Sequence, residues 1–473
     1  MAVTREQWKE WTNTINEILS RNKDNINLGM LERVKKTFDD PIWSISQSSM
    51  LNIFFMSRDD YAKLLKVLNS YFKSQKIELR VDIDKIKKSY LEEIDKKFKQ
   101  SPSRVWKKKD LEEVFSCVMT IATTHLISTT YYIPCHLPPD KDVKFFNLGV
   151  IEFLHIDFFW ETVSDAIDVY RSEVKELHSD MLTKDLEDVF NEYAWVAKIK
   201  VDNSDVDMGY SIAKKCVDAT IAFISTFYDD GIVKMIHNGE FEYSKTTKFS
   251  IDANGKCAIK SQIKFKTGKS SSNSWLDYLL SDNCKYPIEC FGVIIKQKLE
   301  SDSLTNAAQT FLDSIIWYHD AINDKNKHAA TIKFATCLET LIPEKKSKKQ
   351  SATTTCKNCG SLIEYTSSES VRKNFVKWIS FFFEGIKVEN EKLNLIKTVD
   401  LFYDARSILV HGNSVQNYRE PLTKYGLWEI GRRLAQNCLK HYLMWVTKEG
   451  FEQGITDEQI ASYMEERFPS NNI

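Results

Sequence analysis

Glycine and proline are scarce in this chain, and that scarcity limits the folds open to it. Its 473 residues include 15 glycines and 9 prolines, about 5% of the chain against about 12% in average proteins. Both residues interrupt helices. Hydrophobic residues make up 42% and aromatic residues 12%, which is ample material for packed cores. The composition therefore predicts a mainly α-helical, well-packed protein.

The charge balance and the cysteine content indicate the expected environment. The chain carries 65 basic and 66 acidic residues, for a net charge of −1, so any RNA site must be a local patch. The start of the chain has no apolar signal core, and no stretch reaches the roughly 18 apolar residues of a membrane span. Ten cysteines without regular spacing indicate reduced thiols. We expect a soluble cytoplasmic protein that does not enter a membrane.

Hydrophobic periodicity divides the chain into four regions. Apolar residues recur at helical spacing near the start, and a basic segment with proline at 101–110 indicates a linker. Three prolines at 131–142 indicate a loop, and alternating residues around Asn254-Gly255 predict a hairpin at 248–265. The predicted organisation is a helical N-terminal region (1–105), a helical middle region (106–235), a β-hairpin with its connector (236–298) and a helical C-terminal domain (299–473).

One helix of the C-terminal domain carries an arginine on its apolar face. Residues 391–412 predict this helix, whose apolar face includes Val399 and Phe402 at helical spacing. Arg406 falls on the same face. An unpaired charge among core positions costs several kcal/mol, about 3 to 5. Arg406 therefore needs either an anionic partner or a wet pocket.

A polar line on the neighbouring face of this helix leads to a histidine. Asp404, Ser407 and His411 follow one another at spacings of three and four, and Gly412 then ends the helix. The negative end of the helix dipole favours imidazolium at His411. Arg406 and His411 are separated by roughly 7.5 Å along the axis. Their side chains are close enough to converge on one phosphate.

These residue types are suited to RNA cleavage without a metal. The 2′-hydroxyl of RNA is an internal nucleophile, so that a protein need only move protons and stabilise charge. His411 would move the protons, Arg406 would stabilise the phosphate, and Asp404 or Ser407 would orient the imidazole. The alternative is an ordinary helix end, at which Arg406 pairs with a carboxylate and His411 caps carbonyls.

The surrounding helices resemble those of the HEPN superfamily. The resemblance covers about 300–450, roughly a third of the chain, and rests on the succession SIIWYHDAIND (314–324), HAATIKFATCLETLIPEK (328–345), VRKNFVKWISFFFEGI (371–386) and RSILVHGN (406–413). The hallmark motif of the superfamily is an Arg followed, after four to six residues, by a His. Arg406 and His411 match this motif. The first two helices resemble the ApeA-like branch. Ser407 stands where active members more often carry Asn, Asp or His.

The resemblance implies a function as well as a fold. It implies a helical bundle acting as a metal-independent endoribonuclease, without a catalytic cofactor, in which two Arg–His pairs form one site across the axis of a homodimer. ApeA-like members are associated with anti-phage abortive infection. The alternative is a catalytically silent HEPN module that binds RNA or a protein as a sensor or scaffold. Residues 1–300 contain no readable catalytic motif, and we hypothesise that they sense a trigger.

A carboxylate partner for Arg406 can be predicted from helix phase. Glu339 lies in phase with Ile332, Ala335 and Ile342, so it faces the interior. We predict that it pairs with Arg406. Two roles stay open, a purely structural ion pair or the aiming of Arg406 at a substrate.

Two further segments have competing interpretations. Cys356 and Cys359 form half of a tetrahedral zinc site, which Cys284, Cys290 or Cys337 could complete; otherwise they are unligated thiols, and any zinc would be structural. The neighbouring lysines form either an RNA-binding patch or a solvated loop. These lysines are Lys345, Lys346, Lys348 and Lys349, and the residues considered as an extension of the patch are Arg432, Arg433 and Lys440.

Overall fold

Contacts along the chain divide it into two units in the computed structural model. The first comprises residues 1–131 and 200–213, and the second comprises residues 132–199 and 214–473. The structure describes residues 3–22, 58–77, 80–100, 104–138, 140, 142–173, 176–227, 237–238, 244–251, 257–264, 274–300, 304, 306–342, 350–355, 362–367, 371–383, 389–410, 426–448 and 462.

Four amphipathic helices form the core of the first unit. They are α1 (Arg5–Asn22), α2 (Arg58–Gln75), α3 (Ile83–Gln100) and α4 (Lys108–Thr124). Their apolar faces meet in one cluster, which contains the residues whose spacing predicted α1, namely Trp8, Trp11, Ile15 and Ile18. Phe115 of α4 stacks on Tyr71 of α2, with ring centroids 3.9 Å apart. The helical prediction for this part of the chain is confirmed.

The described part of the linker predicted at 101–110, residues 104–110, contributes instead to this core. Trp106 is buried, and its backbone exchanges two hydrogen bonds with the Asn16 side chain, at 2.8 and 3.0 Å. Asp110 then accepts a hydrogen bond from the Lys107 backbone N–H at 2.8 Å, which caps the start of α4. The basic run that suggested a linker therefore coats the surface around one buried tryptophan.

The chain also forms a five-stranded sheet that was not predicted from the sequence. Its strands are β1 (Ile127–His136), β2 (Phe145–Leu148), β3 (Ile151–His155), β4 (Trp195–Ser204) and β5 (His237–Asn238). Their order in the sheet is β2-β3-β4-β1-β5. The helices of this part of the chain are α5 (Ile156–Glu173), α6 (Glu176–Phe190) and α7 (Val206–Ser225). The region predicted to be helical over 106–235 therefore combines helices with four strands among its described residues.

Strand β1 also corrects the first half of the loop predicted at 131–142, because it extends to His136. Tyr131, Ile133 and Cys135 are buried while the residues between them are not, which is the two-residue period of a strand. Pro134 lies inside this strand. The prolines suggested a loop, but the alternation of buried side chains decides the structure.

Two hairpins follow along the chain. Strands β6 (Ser244–Ile251) and β7 (Cys257–Lys264) are antiparallel, and Phe249 faces Ile259. This confirms the hairpin predicted around Asn254-Gly255, whose turn lies outside the described residues. A second antiparallel pair, β8 (Gln350–Thr355) and β9 (Leu362–Ser367), was not predicted.

The remaining helices build the C-terminal bundle. They are α8 (Ser274–Leu279), α9 (Asp282–Glu300), α10 (Asn306–Asn323), α11 (Lys327–Thr340), α12 (Val371–Phe381), α13 (Glu389–Val410) and α14 (Leu427–Lys448). Helices α10 and α11 form a hairpin whose second helix begins at Asn326, which caps it by accepting from the backbone of His328 at 2.9 Å. Helix α14 packs on α9, α10 and α11, and α13 packs on α11, α12 and α14.

The bundle confirms the mainly α class. Helix α9 begins before residue 299, where the C-terminal domain was predicted to start, and it packs on α14. Its inner face carries Cys290, Phe291, Ile294 and Ile295, all buried. None of the helices within the described residues combines the length and apolarity needed to cross a membrane.

The turn between β2 and β3 is pressed against α9. Gly149 in this turn has φ +61°, and a Cβ built on it would lie 2.6 Å from Cα of Gly292. That distance is to backbone, which cannot rotate away as a side chain can. The close approach therefore requires glycine at position 149.

Replacing Gly149 tests this contact. We expect Gly149→Ala to destabilise the protein by about 2 to 4 kcal/mol, because it combines left-handed backbone strain with a backbone clash. The measurement is the urea midpoint of unfolding. Val150→Ala is the control: this neighbour in the same turn is exposed, so its change should stay within about 1 kcal/mol. Equal midpoints for both variants would show that the turn is not pressed on α9.

Candidate functional site

Arg406 lies on the face of α13 that enters the bundle. Val399, Phe402 and Ala405 are completely buried on this helix, while one quarter of the Arg406 side chain remains exposed. The guanidinium therefore sits at the edge of the core and not within it. This is the position that the apolar pattern of the helix predicted.

Glu339 of α11 is the partner of Arg406. Nη2 of Arg406 donates to Oε2 of Glu339 at 2.9 Å, and the Glu339 side chain is also one quarter exposed. The predicted pairing is confirmed. Because both groups are largely withdrawn from water, their interaction is screened less than that of a surface pair. The pair holds the guanidinium in one place.

The ion pair borders a cavity of about 330 Å³. The cavity is lined by Glu339, Ile342, Asn374, Phe375, Tyr403 and Arg406. The Cζ atom of Arg406 lies 5.8 Å from the centre of the Tyr403 ring, within the range of a cation–π contact. Tyr403 in turn packs against Phe375 at 4.8 Å between ring centroids. The wall of the cavity thus combines two charged and two aromatic side chains with Ile342 and Asn374.

Two polar atoms of this wall have no hydrogen-bond partner among the described residues. They are Nε of Arg406, a donor, and Oδ1 of Asn374, an acceptor. Buried polar groups are nearly always paired. Burial and the adjacent Glu339 carboxylate raise the pKa of Tyr403, so its hydroxyl stays protonated at neutral pH. One donor and one acceptor beside the cavity are therefore left without a partner among the described residues.

A second arginine, missed by the sequence analysis, joins α12 to α13. Nε of Arg372 donates to Oδ1 of Asp400 at 2.6 Å, and its two terminal nitrogens bond to Asp400 and Asp404. Oδ1 of Asp404, a residue predicted to orient the imidazole of His411, therefore accepts from Nη1 of Arg372. The spacing of Asp400 and Asp404 by one helical turn suits such a fork, but the sequence alone does not identify the donor.

Several predicted site residues lie outside the described residues. Helix α13 ends at Val410, directly before His411 in the sequence. Ser407, one position after Arg406, is half-buried on α13. The predicted residues outside the described part of the chain are His411 with Gly412, the lysines Lys345, Lys346, Lys348 and Lys349, and the cysteines Cys356 and Cys359.

The cysteines considered as further zinc ligands are buried in the bundle. Cys284, Cys290 and Cys337 are at most 2% exposed. Burial raises the pKa of the Cys337 thiol, which disfavours the thiolate that zinc requires. Cys337 therefore fits a packing role. Strands β8 and β9 flank the segment that contains Cys356 and Cys359.

Arg432 does not extend a basic patch. Its side chain is 5% exposed and donates to Glu429 at 2.8 and 3.0 Å. Arg433 is exposed but donates to the same carboxylate at 2.6 Å. Lys440 lies 4.9 Å from the centre of the Phe227 ring. The suggestion that Arg432 contacts phosphate is wrong, because Glu429 and the packing of α14 already hold it.

The first unit contains a group of carboxylates that the sequence did not suggest. Asp82, Asp205 and Asp207 bring oxygen atoms within 4.8 Å of one another. Nζ of Lys85 bonds to both Asp205 and Asp207 at 2.8 Å. Asp82 and Asp205 also accept backbone N–H groups at the starts of α3 and α7. The group therefore serves as a pair of helix caps neutralised by a lysine.

Comparison with known proteins does not place this arrangement in a family. No family model matches the chain, and no curated protein or solved structure is significantly similar to it. Its function must therefore be argued from the residues themselves.

The ion pairs of Glu429 predict how the free energy of unfolding changes at acid pH. Hydrogen bonding to Arg432, and then to Arg433, lowers the pKa of Glu429 from 4.5 to about 2. A depressed carboxyl pKa contributes stability that is present above about 4.5 and is lost as the pH falls towards 2. We expect Glu429→Gln to be less stable than wild type at pH 7 and the difference to shrink below pH 4.5.

Urea unfolding across this pH range measures the effect. Glu289→Gln, which changes an exposed residue of α9, should give a small offset that does not vary with pH. A gap between Glu429→Gln and wild type that stays constant down to pH 2 would contradict the assigned shift.

Proposed function

We propose that the C-terminal bundle is a metal-independent endoribonuclease of the HEPN type. The observation that carries the proposal is the placement of Arg406 beside a cavity, with its Nε atom lacking a partner among the described residues. In the sequence, His411 is the residue that follows Val410, the last described residue of α13. Arginine recognises phosphate through two parallel hydrogen bonds. In this proposal Arg406 binds the scissile phosphodiester of RNA.

The proposed reaction is an internal transesterification. The 2′-oxygen attacks phosphorus, and the bond from phosphorus to the 5′-oxygen breaks. One proton leaves the 2′-hydroxyl and one reaches the departing 5′-oxygen, so that the products carry a 2′,3′-cyclic phosphate and a 5′-hydroxyl. His411 moves protons, and Arg406 stabilises the negative charge that gathers on the phosphoryl oxygens. A second copy of the chain supplies the other Arg–His pair.

The charges around the site provide little non-specific electrostatic attraction for RNA. Glu339 neutralises Arg406, and the chain as a whole has a net charge of −1. RNA binding therefore depends on local contacts, among which we include the lysines of 345–349. The resemblance to ApeA-like proteins supports a role in anti-phage abortive infection, with the N-terminal region restraining the nuclease until a trigger arrives.

The same neutralisation favours one alternative function. A guanidinium that already has a carboxylate partner can be a structural element of a catalytically silent HEPN module, which would bind RNA or a protein as a sensor or scaffold. The two functions differ in whether loss of Arg406 or His411 removes a chemical activity.

Cleavage assays separate these functions. We expect the purified full chain to cleave labelled RNA in EDTA, and Arg406→Ala and His411→Ala to lower the rate by at least about 100-fold, as loss of a charge-stabilising or proton-transfer group does. Arg171→Ala and His441→Ala change exposed residues of the same types and should cleave like wild type. Equal background in all five proteins would reject the nuclease and leave the silent module.

Glu339 gives a second test, which separates aiming from a structural ion pair. Without the carboxylate the guanidinium can rotate, but repulsion between Glu339 and RNA phosphate also disappears. We therefore expect Glu339→Gln to lower kcat about tenfold or more while KM stays equal or falls. Asp400→Asn is the control, because it weakens the other ion pair of α13 and should leave the ratio of kcat to KM nearly unchanged. A parallel loss in both variants would assign Glu339 to folding alone.

A further inference from the structure

The cavity beside Arg406 contains more than phosphate binding requires. A phosphate group needs only the guanidinium, yet the cavity is also walled by the rings of Tyr403 and Phe375 and by the side chain of Asn374. Ile342 completes the apolar part. Apolar and aromatic walls do not stabilise an anion. They suit a flat, uncharged group attached to it.

The carboxamide of Asn374 indicates what the flat, uncharged group of the ligand is. Asn374 combines an acceptor, which has no partner among the described residues, with an amide donor on the same plane. Such a carboxamide pairs with the edge of a nucleobase through two hydrogen bonds. The last torsion of asparagine is broad, so the amide can turn towards a ligand at low cost. Single-stranded RNA is commonly read by stacking on aromatic rings together with edge contacts of this kind.

The size of the cavity suits one residue of RNA. Its volume of about 330 Å³ lies near the lower end of small-molecule sites, which span about 300 to 1,000 Å³. The second acceptor on the wall is the Glu339 carboxylate. Two acceptors favour a base that carries an amino group over uracil, whose edge has a single N–H.

We propose that this cavity binds one nucleotide, with its phosphate on Arg406, its base against Tyr403, and its amino-bearing edge on Asn374. Asn374 is then the residue that determines specificity, and adenine, cytosine or guanine is preferred to uracil. The inference rests on the proposed function in one respect, that the ligand is a ribonucleotide.

Replacing Asn374 tests the assignment, because each variant predicts a different base. Nucleoside 3′-monophosphates of the four bases serve as probes, and calorimetry with the full chain gives their affinities. We expect wild type to bind the three amino-bearing nucleotides about tenfold or more tightly than the uridine nucleotide. Asn374→Leu should bind all four equally. Asn374→Asp, a pure acceptor, should move the preference to guanine, which presents two adjacent N–H groups.

Control variants distinguish recognition of the base edge by Asn374 from a general loss of the fold. Asn437→Asp changes an exposed asparagine of α14 and should keep the wild-type order of bases. Tyr403→Leu should weaken all four nucleotides by a similar factor, while Tyr403→Phe keeps the ring and the affinity. A wild-type preference for uracil, or an order of bases unchanged in Asn374→Asp and Asn374→Leu, would overturn the inference.

The outcomes also distinguish this inference from the proposed function. RNA cleavage lost in Arg406→Ala, together with a base preference that ignores Asn374, would reject the nucleotide cavity and leave the nuclease. Base-dependent binding altered by Asn374→Asp, in a protein that never cleaves RNA, would support the cavity and reject the nuclease. Absence of nucleotide binding in wild type would overturn the inference, whatever the cleavage assay shows.

Discussion

Helix α13 is held between two neighbours by ion pairs that run in opposite directions. Arg406 of α13 forms an ion pair with Glu339 of α11. Asp400 and Asp404 of α13 form ion pairs with Arg372 of α12. A charge at the edge of an apolar core must be matched, because an uncompensated one costs several kcal/mol, about 3 to 5. The pairs therefore set the rotation of α13 and, with it, the direction in which its last turn points.

The two ion pairs differ in their exposure, and that difference separates their roles. The Arg372 side chain is 42% exposed, whereas Arg406 and Glu339 are each 25% exposed. Water screens the first pair more strongly, so it acts mainly as a fastening between helices. The second borders the cavity, where a ligand can compete for the guanidinium. In the proposed function, the geometry that stabilises the bundle also positions the guanidinium for a ligand.

Neutralisation of charge is common to the arginines around this bundle. Arg432 and Arg433 share Glu429, as Arg372 shares two aspartates. An RNA site built among such pairs draws little on long-range attraction, which agrees with a chain of net charge −1. Affinity and selectivity then depend on short contacts. The aromatic rings and the carboxamide of the Arg406 cavity are suited to provide them.

The sequence by itself determined the helical class and the position of Arg406, because both follow from local periodicity. The apolar spacing around Val399 and Phe402 placed an arginine at the core edge, and the phase of Glu339 made it the partner, 67 residues away. Tertiary structure decided the rest. Strand β1 forms across Pro134 because its alternate residues are buried, and Arg372 reaches Asp400 only because α12 folds onto α13. Asn374 and Tyr403 carry no motif; packing brings them to one cavity, and contacts between distant segments leave no periodic trace in a single sequence.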